Sequence, residues 1–182
     1  MPRTPAFCYA FISHRLIRAA LGDSPSRDVR WIAPAPGTRC AEIGSGGGFY
    51  TPALAAHLGS GSLLVALDPA AHDPRARRAT GTGATTVHIA GDGLALPFAS
   101  AGLDALLYSY SLEEMPDQRA ALAEAERVLR PGGQLVLFLW RPLMPRRRRA
   151  SALTALRPQG EGLVLVRSHH GLQNLRLAYR KR

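Results

Sequence analysis

Apolar residues fall in short runs along this chain, and the stretches between several of those runs repeat with helical spacing. Runs at 39–43 (RCAEI), 62–67 (SLLVAL), 85–90 (TTVHIA), 103–109 (LDALLYS) and 134–140 (QLVLFLW) have the length and aliphatic character of strands. Several are apolar almost throughout instead of alternating, as in strands covered on both faces of a parallel sheet. Helical spacing is expected at 49–58 (FYTPALAAHL), within 70–79, and most clearly at 117–129 (DQRAALAEAERVL). In the last, Asp117 is the expected N-cap, and Leu122, Ala125, Val128 and Leu129 share one side. The RPGG at 130–133 is expected to end it. Strands alternating with helices predict an α/β domain with a parallel sheet.

The two ends read differently. Residues 5–21 fit a helix with Phe7, Phe11, Leu16, Ile17 and Leu21 near one face, ended by GDSPSRD at 22–28. Beyond Trp140 comes an arginine-rich linker, with a short helix expected around 149–156. GLVLVRS and NLRLAYR, separated by HHGLQ, then predict a β-hairpin with His169 and His170 in its turn. One domain is expected, divided into a helix and linker at 1–37, a core at 38–140, and a basic linker with closing hairpin at 141–182.

No apolar run reaches the roughly 18 to 20 residues needed to span a bilayer. The amino-terminal stretch is broken by His14, Arg15 and Arg18, so a packing helix is expected there in preference to a targeting segment. Cys8 and Cys40 do not form a disulfide framework, which suggests an intracellular, cytoplasmic setting. The net charge of +10 has one source: residues 141–182 carry eleven Arg and Lys against the single Glu161, including Arg146, Arg147, Arg148 and Arg149. Such a patch suits an anionic partner and equally suits a solvated face. The six histidines have no metal-ligand spacing, and no metal is expected.

Candidate chemistry begins at Glu42–Tyr50, EIGSGGGFY, a glycine loop directly after the first strand. Dinucleotide-binding loops share that position and also want an acidic residue ending the second strand, which Asp68 supplies. Phe49 stands where that fingerprint wants glycine, and no Gly-Lys-Ser/Thr occurs, which excludes a P-loop. Three features select among ligands: Glu42–Gly44–Gly46–Gly48 in Asp/Glu-x-Gly-x-Gly-x-Gly spacing, AGDGLALPF (90–98) with Asp92 beyond the third strand, and ERVLRPGGQLVLF (126–138). In this order they resemble the class I S-adenosylmethionine-dependent methyltransferases, most closely the type 11 small-molecule group, from about Thr38 to Trp140.

The resemblance implies a Rossmann-like, doubly wound, seven-stranded sheet, mostly parallel with an antiparallel carboxyl-terminal hairpin. It implies S-adenosylmethionine as cofactor and S-adenosylhomocysteine as product. Glu42 would order the loop and lie near the methionyl amine, Asp68 would accept the ribose hydroxyls, and Asp92 and the Gly93 N–H would meet the adenine. Gly44, Ser45, Gly46, Gly48, Pro69 and Ser109 complete the expected lining. A carboxylate beside the glycines suits an ammonium and a sulfonium.

Methyl transfer from a sulfonium is governed by positioning, and a general base would come from the end of the fourth strand. There YSYSLEEMPD offers Tyr108, Tyr110, Glu113 and Glu114, and His14 is a further candidate on the terminal helix. Related sequences often have histidine near Glu113, so no inherited base carries over. The nucleic-acid amino-methyltransferase motif is absent after the fourth strand, and Lys181 is the sole lysine, which disfavours nucleic acid despite the charge. The expected acceptor is a small or lipid-like molecule, with Arg146–Arg149 available for an anionic group and for peripheral membrane contact. Alternatives are a non-catalytic member of the fold that binds a partner through its basic segment, an RNA methyltransferase, or a nicotinamide-dependent oxidoreductase.

Overall fold

The computed structural model describes residues 23–33, 35–70, 83–140, 162–171 and 174–182. The helices expected at 5–21 and 149–156, and most of the one at 70–79, lie outside the described residues. A four-residue helix α1 (Pro25–Asp28) runs into a 3₁₀ turn at Val29–Trp31, where the sequence had suggested only a linker. There follow β1 (Arg39–Ile43), α2 (Thr51–Leu58), β2 (Leu63–Asp68), β3 (Thr85–Ala90) and β4 (Leu103–Ser109). After a 3₁₀ turn at Leu112–Glu114 come α3 (Gln118–Val128), β5 (Leu129–Trp140), β6 (Leu163–His170) and β7 (Asn174–Lys181). They form one seven-stranded sheet in the order β3-β2-β1-β4-β5-β7-β6. β1 to β5 pair in parallel, while β7 pairs antiparallel with both β5 and β6. This is the mostly parallel, seven-stranded sheet with an antiparallel carboxyl-terminal hairpin that the resemblance implied.

Alternation in the central strands fills two cores. Leu106 and Tyr108 of β4 and Leu135 and Leu137 of β5 pack with Ala121, Leu122, Ala125 and Val128 of α3. Ala105, Leu107, Val136 and Phe138 point the other way, toward Tyr50, Leu54 and Leu58 around α2 and toward Val29 and Trp31. Both faces are covered, which accounts for the unbroken apolar runs. Asp117 caps α3, accepting from the Arg119 and Ala120 amides at 3.0 Å. Lys181 donates to the carbonyls of Glu126 and Leu129 at the other end of that helix, so the only lysine serves as a C-cap.

Two boundaries differ from expectation. β5 begins at Leu129, five residues early, because the chain passes from helix to strand without a loop and RPGG lies within the strand. Gly132 takes a φ of +75° there, and the pairing with β4 shifts register between Leu103 and Ala105. His169 and His170 are strand residues opposite Arg176 and Leu175, so the hairpin turn is tighter than HHGLQ implied.

Candidate functional site

Because β1 to β5 run parallel, their carboxyl ends gather at one edge, and the strand order reverses between β1 and β4, where ligands of such sheets bind. The glycine loop leaves β1 at this point. Gly44, Gly46 and Gly48 have φ of +73°, +51° and +75°, a region costly for residues with a side chain. Gly44 also crosses the gap to β4: a Cβ there would stand 2.2 Å from Ser111 Cβ. Ser111 Oγ donates to the Ile43 carbonyl at 2.5 Å, closing the junction.

The loop spends its own amides. Gly44 and Ser45 donate to the Leu67 carbonyl, Gly48 donates to the Ser45 carbonyl, and Gly46 donates to Asp68 Oδ2 at 2.8 Å. A pyrophosphate cradle needs such amides turned toward its anion. With four committed inward and an acidic side chain at its lip, this loop suits a neutral or cationic ligand.

Asp68 ends β2, half-buried, with Oδ1 accepting from Ala70 at 2.8 Å. Both its oxygens are fixed by backbone amides and keep a further lone pair each; Pro69 beside it is exposed. Asp92 follows β3, exposed, its Oδ1 accepting from Leu94 at 2.9 Å. Gly93 is buried against Met115, whose Cε would lie 2.4 Å from an added Cβ. α3 holds this stretch in place: Glu124 accepts from the Leu96 amide, and Arg127 donates to the carbonyls of Leu96 and Phe98. Sequence reasoning had read Glu124 and Arg127 only as part of a helix, since nothing in AEAERVL says which loop passes over it.

Glu42 sits at the root of the glycine loop. Fully buried at 0% exposure, it accepts from Thr51 Oγ1 at 2.6 Å and Ser109 Oγ at 3.0 Å. Its carboxylate ties β1 to the start of α2 through Thr51 and to the end of β4 through Ser109.

After β4 the candidates separate. Tyr108 belongs to the core: its hydroxyl donates to the Ala121 carbonyl at 3.1 Å, and burial pushes its pKa well up, which removes it from the reactive edge. Tyr110, at φ +61°, turns to the opposite face and donates to Asp23 Oδ1 at 2.6 Å. Its ring lies 5.2 Å from that of Trp140 and 6.2 Å from that of Phe138. Glu114 is exposed. Glu113 Oε1 accepts from the Trp140 amide at 2.6 Å, while Oε2 is buried and without a hydrogen-bond partner among the described residues. Burial pushes its carboxyl up to about 7, with the charge of Glu114 adding to the effect. His14 and Arg146–Arg149 lie outside the described residues.

Beneath the aromatic group sits an ion pair invisible in the sequence. Asp28 Oδ2 stands 3.0 Å from Arg176 Nη2, a charge contact and not an aligned hydrogen bond, and also accepts from Tyr50 at 3.2 Å. Cys40 is buried with its thiol pushed well up, chiefly by burial, so it is inert as a nucleophile. Among the described residues no three His, Cys, Asp or Glu side chains converge as metal ligands, and no helix is long and apolar enough to cross a membrane.

Known proteins share both the sequence pattern and the architecture. The family described as "Methyltransferase domain" matches residues 41–137. A demethylmenaquinone methyltransferase of Corynebacterium urealyticum is 39% identical over 111 residues, 61% of this chain and 45% of that protein. A ubiquinone/menaquinone biosynthesis C-methyltransferase of Ruegeria sp. is 30% identical over 128 residues, 69% and 48% of the two chains. The matches thus span less than half the length of these relatives. In structure, a SAM-dependent methyltransferase from Aquifex aeolicus superposes with a TM-score of 0.69 at 15% identity, covering 93% of this chain and 99% of that one. One from Mesorhizobium loti gives 0.68 at 17% identity, covering 88% and 100%. This chain belongs to the methyltransferase-domain family of class I S-adenosylmethionine-dependent methyltransferases.

Proposed function

We propose that this chain transfers a methyl group from S-adenosylmethionine to a small quinone-type acceptor. The observation carrying this reading is the glycine loop whose amides are tied inward, set between the carboxylates of Asp68 and Asp92 at one edge of the sheet. The donor set fits the cofactor. Asp68 has free lone pairs for two ribose hydroxyls, Asp92 is exposed for the adenine amino group, and Gly93 has no side chain to obstruct the ring. Gly44, Ser45, Gly46, Gly48 and Pro69 line the approach, while the Glu42–Ser109 hydrogen bond holds the root of the loop.

The bound cofactor supplies an electrophilic methyl on a sulfonium. The chain's part is to fix that methyl on a line with the acceptor and to keep water out. A quinone-type acceptor is supported by the names of the relatives, and the half-buried rings of Tyr110 and Trp140 suit a planar molecule. A lipid-like quinone implies work in the cytoplasm at a membrane surface, where Arg146–Arg149 would meet anionic headgroups. Calorimetric titration with S-adenosylmethionine and with NADH tests the cofactor. Micromolar binding of the first alone, weakened at least tenfold in Asp68→Ala and Asp92→Ala, is expected. Binding of NADH, or of neither, refutes the reading.

A further inference from the structure

The closing edge of the sheet carries features that methyl transfer does not use. β6 is an outermost strand and pairs with β7 alone, so its other side leaves a row of backbone N–H and C=O groups unpaired among the described residues. Every residue of β6 after Leu163 is exposed, including Val164, Leu165 and Val166 at 37%, 42% and 52%. These three are consecutive, and Val87 is the one other large hydrophobic residue exposed among the described residues. Val166, the most exposed, is the extra residue of a bulge between Leu165 and Arg167.

Pairing with β7 sorts the two faces of this edge, because directly opposed residues share a face. Leu165, Ser168 and His170 stand opposite Tyr179, Leu177 and Leu175, which belong to the α3 core. Val164, Arg167 and His169 stand opposite Arg180, Ala178 and Arg176, on the other side of the sheet. That second side is basic. Arg167, Arg180 and Arg182 are exposed there, and Arg167 is held over Trp31 with its guanidinium 4.0 Å from the ring centroid. Neither strand contains an acidic residue, and Asp28, on that side, is buried against Arg176. A second copy does not suit such an edge, because cations would meet cations. A bilayer does not suit it either, because the free backbone groups would lose water and gain no partner. An incoming strand satisfies those groups.

We propose that β6 docks an extended segment of a partner protein as an eighth strand, one whose acidic and apolar residues alternate. The two-residue period of a strand puts its carboxylates beside Arg167 and Arg180 on one face and its apolar side chains beside Leu165 on the other. Main-chain hydrogen bonds to the free edge supply the ladder, and the cations select the partner. β5 and β7 stand between β6 and β4, so this edge lies apart from the cofactor end of β1 and β4.

The probe is a fluorescein-labelled peptide of alternating glutamate and valine, as long as β6, read by fluorescence anisotropy on the full chain. The wild type is expected to bind it about tenfold more tightly than the lysine–valine peptide, and about tenfold more tightly than the same peptide N-methylated along its length, which keeps the side chains and cannot extend the ladder. Arg167→Glu and Arg180→Glu are each expected to weaken the glutamate–valine peptide about fivefold. Together they are expected to make the lysine–valine peptide the better ligand, a reversal that a misfolded chain does not give. Calorimetric S-adenosylmethionine binding is expected to be unchanged in both variants; its failure in the wild type would sink the methyltransferase reading and leave this proposal standing. Peptide binding that ignores N-methylation or the charge reversals overturns the proposal. So does wild-type self-association in sedimentation that Val166→Glu abolishes, or binding to phosphatidylserine vesicles with no binding of the glutamate–valine peptide.

Discussion

Replacing Glu113 by glutamine has a consequence for stability that needs no substrate. Glutamine keeps an oxygen for the Trp140 amide and cannot ionise. In the folded wild type the carboxyl is pushed from 4.5 up to about 7, chiefly by burial. A folded-state pKa above the unfolded one means the native protein binds the proton more tightly. The stability is therefore fully present below the unfolded pKa and lost as pH rises through the folded one. At 1.36 kcal/mol per pKa unit the whole loss is about 3 kcal/mol, of which roughly 2.5 kcal/mol falls between pH 5 and pH 8. Urea unfolding of both proteins at pH 5, 6, 7 and 8 reads it as a difference, so groups titrating identically in the two cancel. Glu113→Gln is expected to gain on the wild type steadily over that range, ending about 2.5 kcal/mol better off at pH 8 than at pH 5. A difference that stays flat within about 0.5 kcal/mol would refute the burial of this carboxyl.

Gly44→Ala drives a Cβ into Ser111 at φ +73° and is expected to abolish cofactor binding, whereas Gly47→Ala, with nothing within 4 Å, binds as the wild type does in the same titration. Asp28→Ala strands the buried Arg176 guanidinium and is expected to cost about 3–5 kcal/mol in urea unfolding, much of it recovered by adding Arg176→Met. Glu42→Ala removes the shared acceptor of Thr51 and Ser109 and is expected to cost about 3 kcal/mol by the same assay, with the Glu42→Gln loss smaller.

The sequence by itself determined the sheet and the cofactor class. Largely apolar runs, such as that over Leu103–Ser109, read as strands covered on both faces, and their spacing placed β1 to β4 to within a residue or two, though not the start of β5. Glycines at 44, 46 and 48 announced a backbone conformation that is local and so is written locally. Asp68 and Asp92 were legible because the strand before each delivers it to the carboxyl edge. Tertiary structure alone decided which way neighbouring side chains point and what meets them. Tyr108 and Tyr110 are two residues apart, yet the left-handed turn at Tyr110 sends one to the core under α3 and the other to the aromatic cluster over α2. Glu42 and Glu113 look alike in the sequence. One is satisfied by hydroxyls 9 and 67 positions away, while the other, among the described residues, has an oxygen without a hydrogen-bond partner beside Trp140. Pairings across such separations, like that of Asp28 with Arg176, leave no periodic trace, because only closure of the sheet brings the partners together.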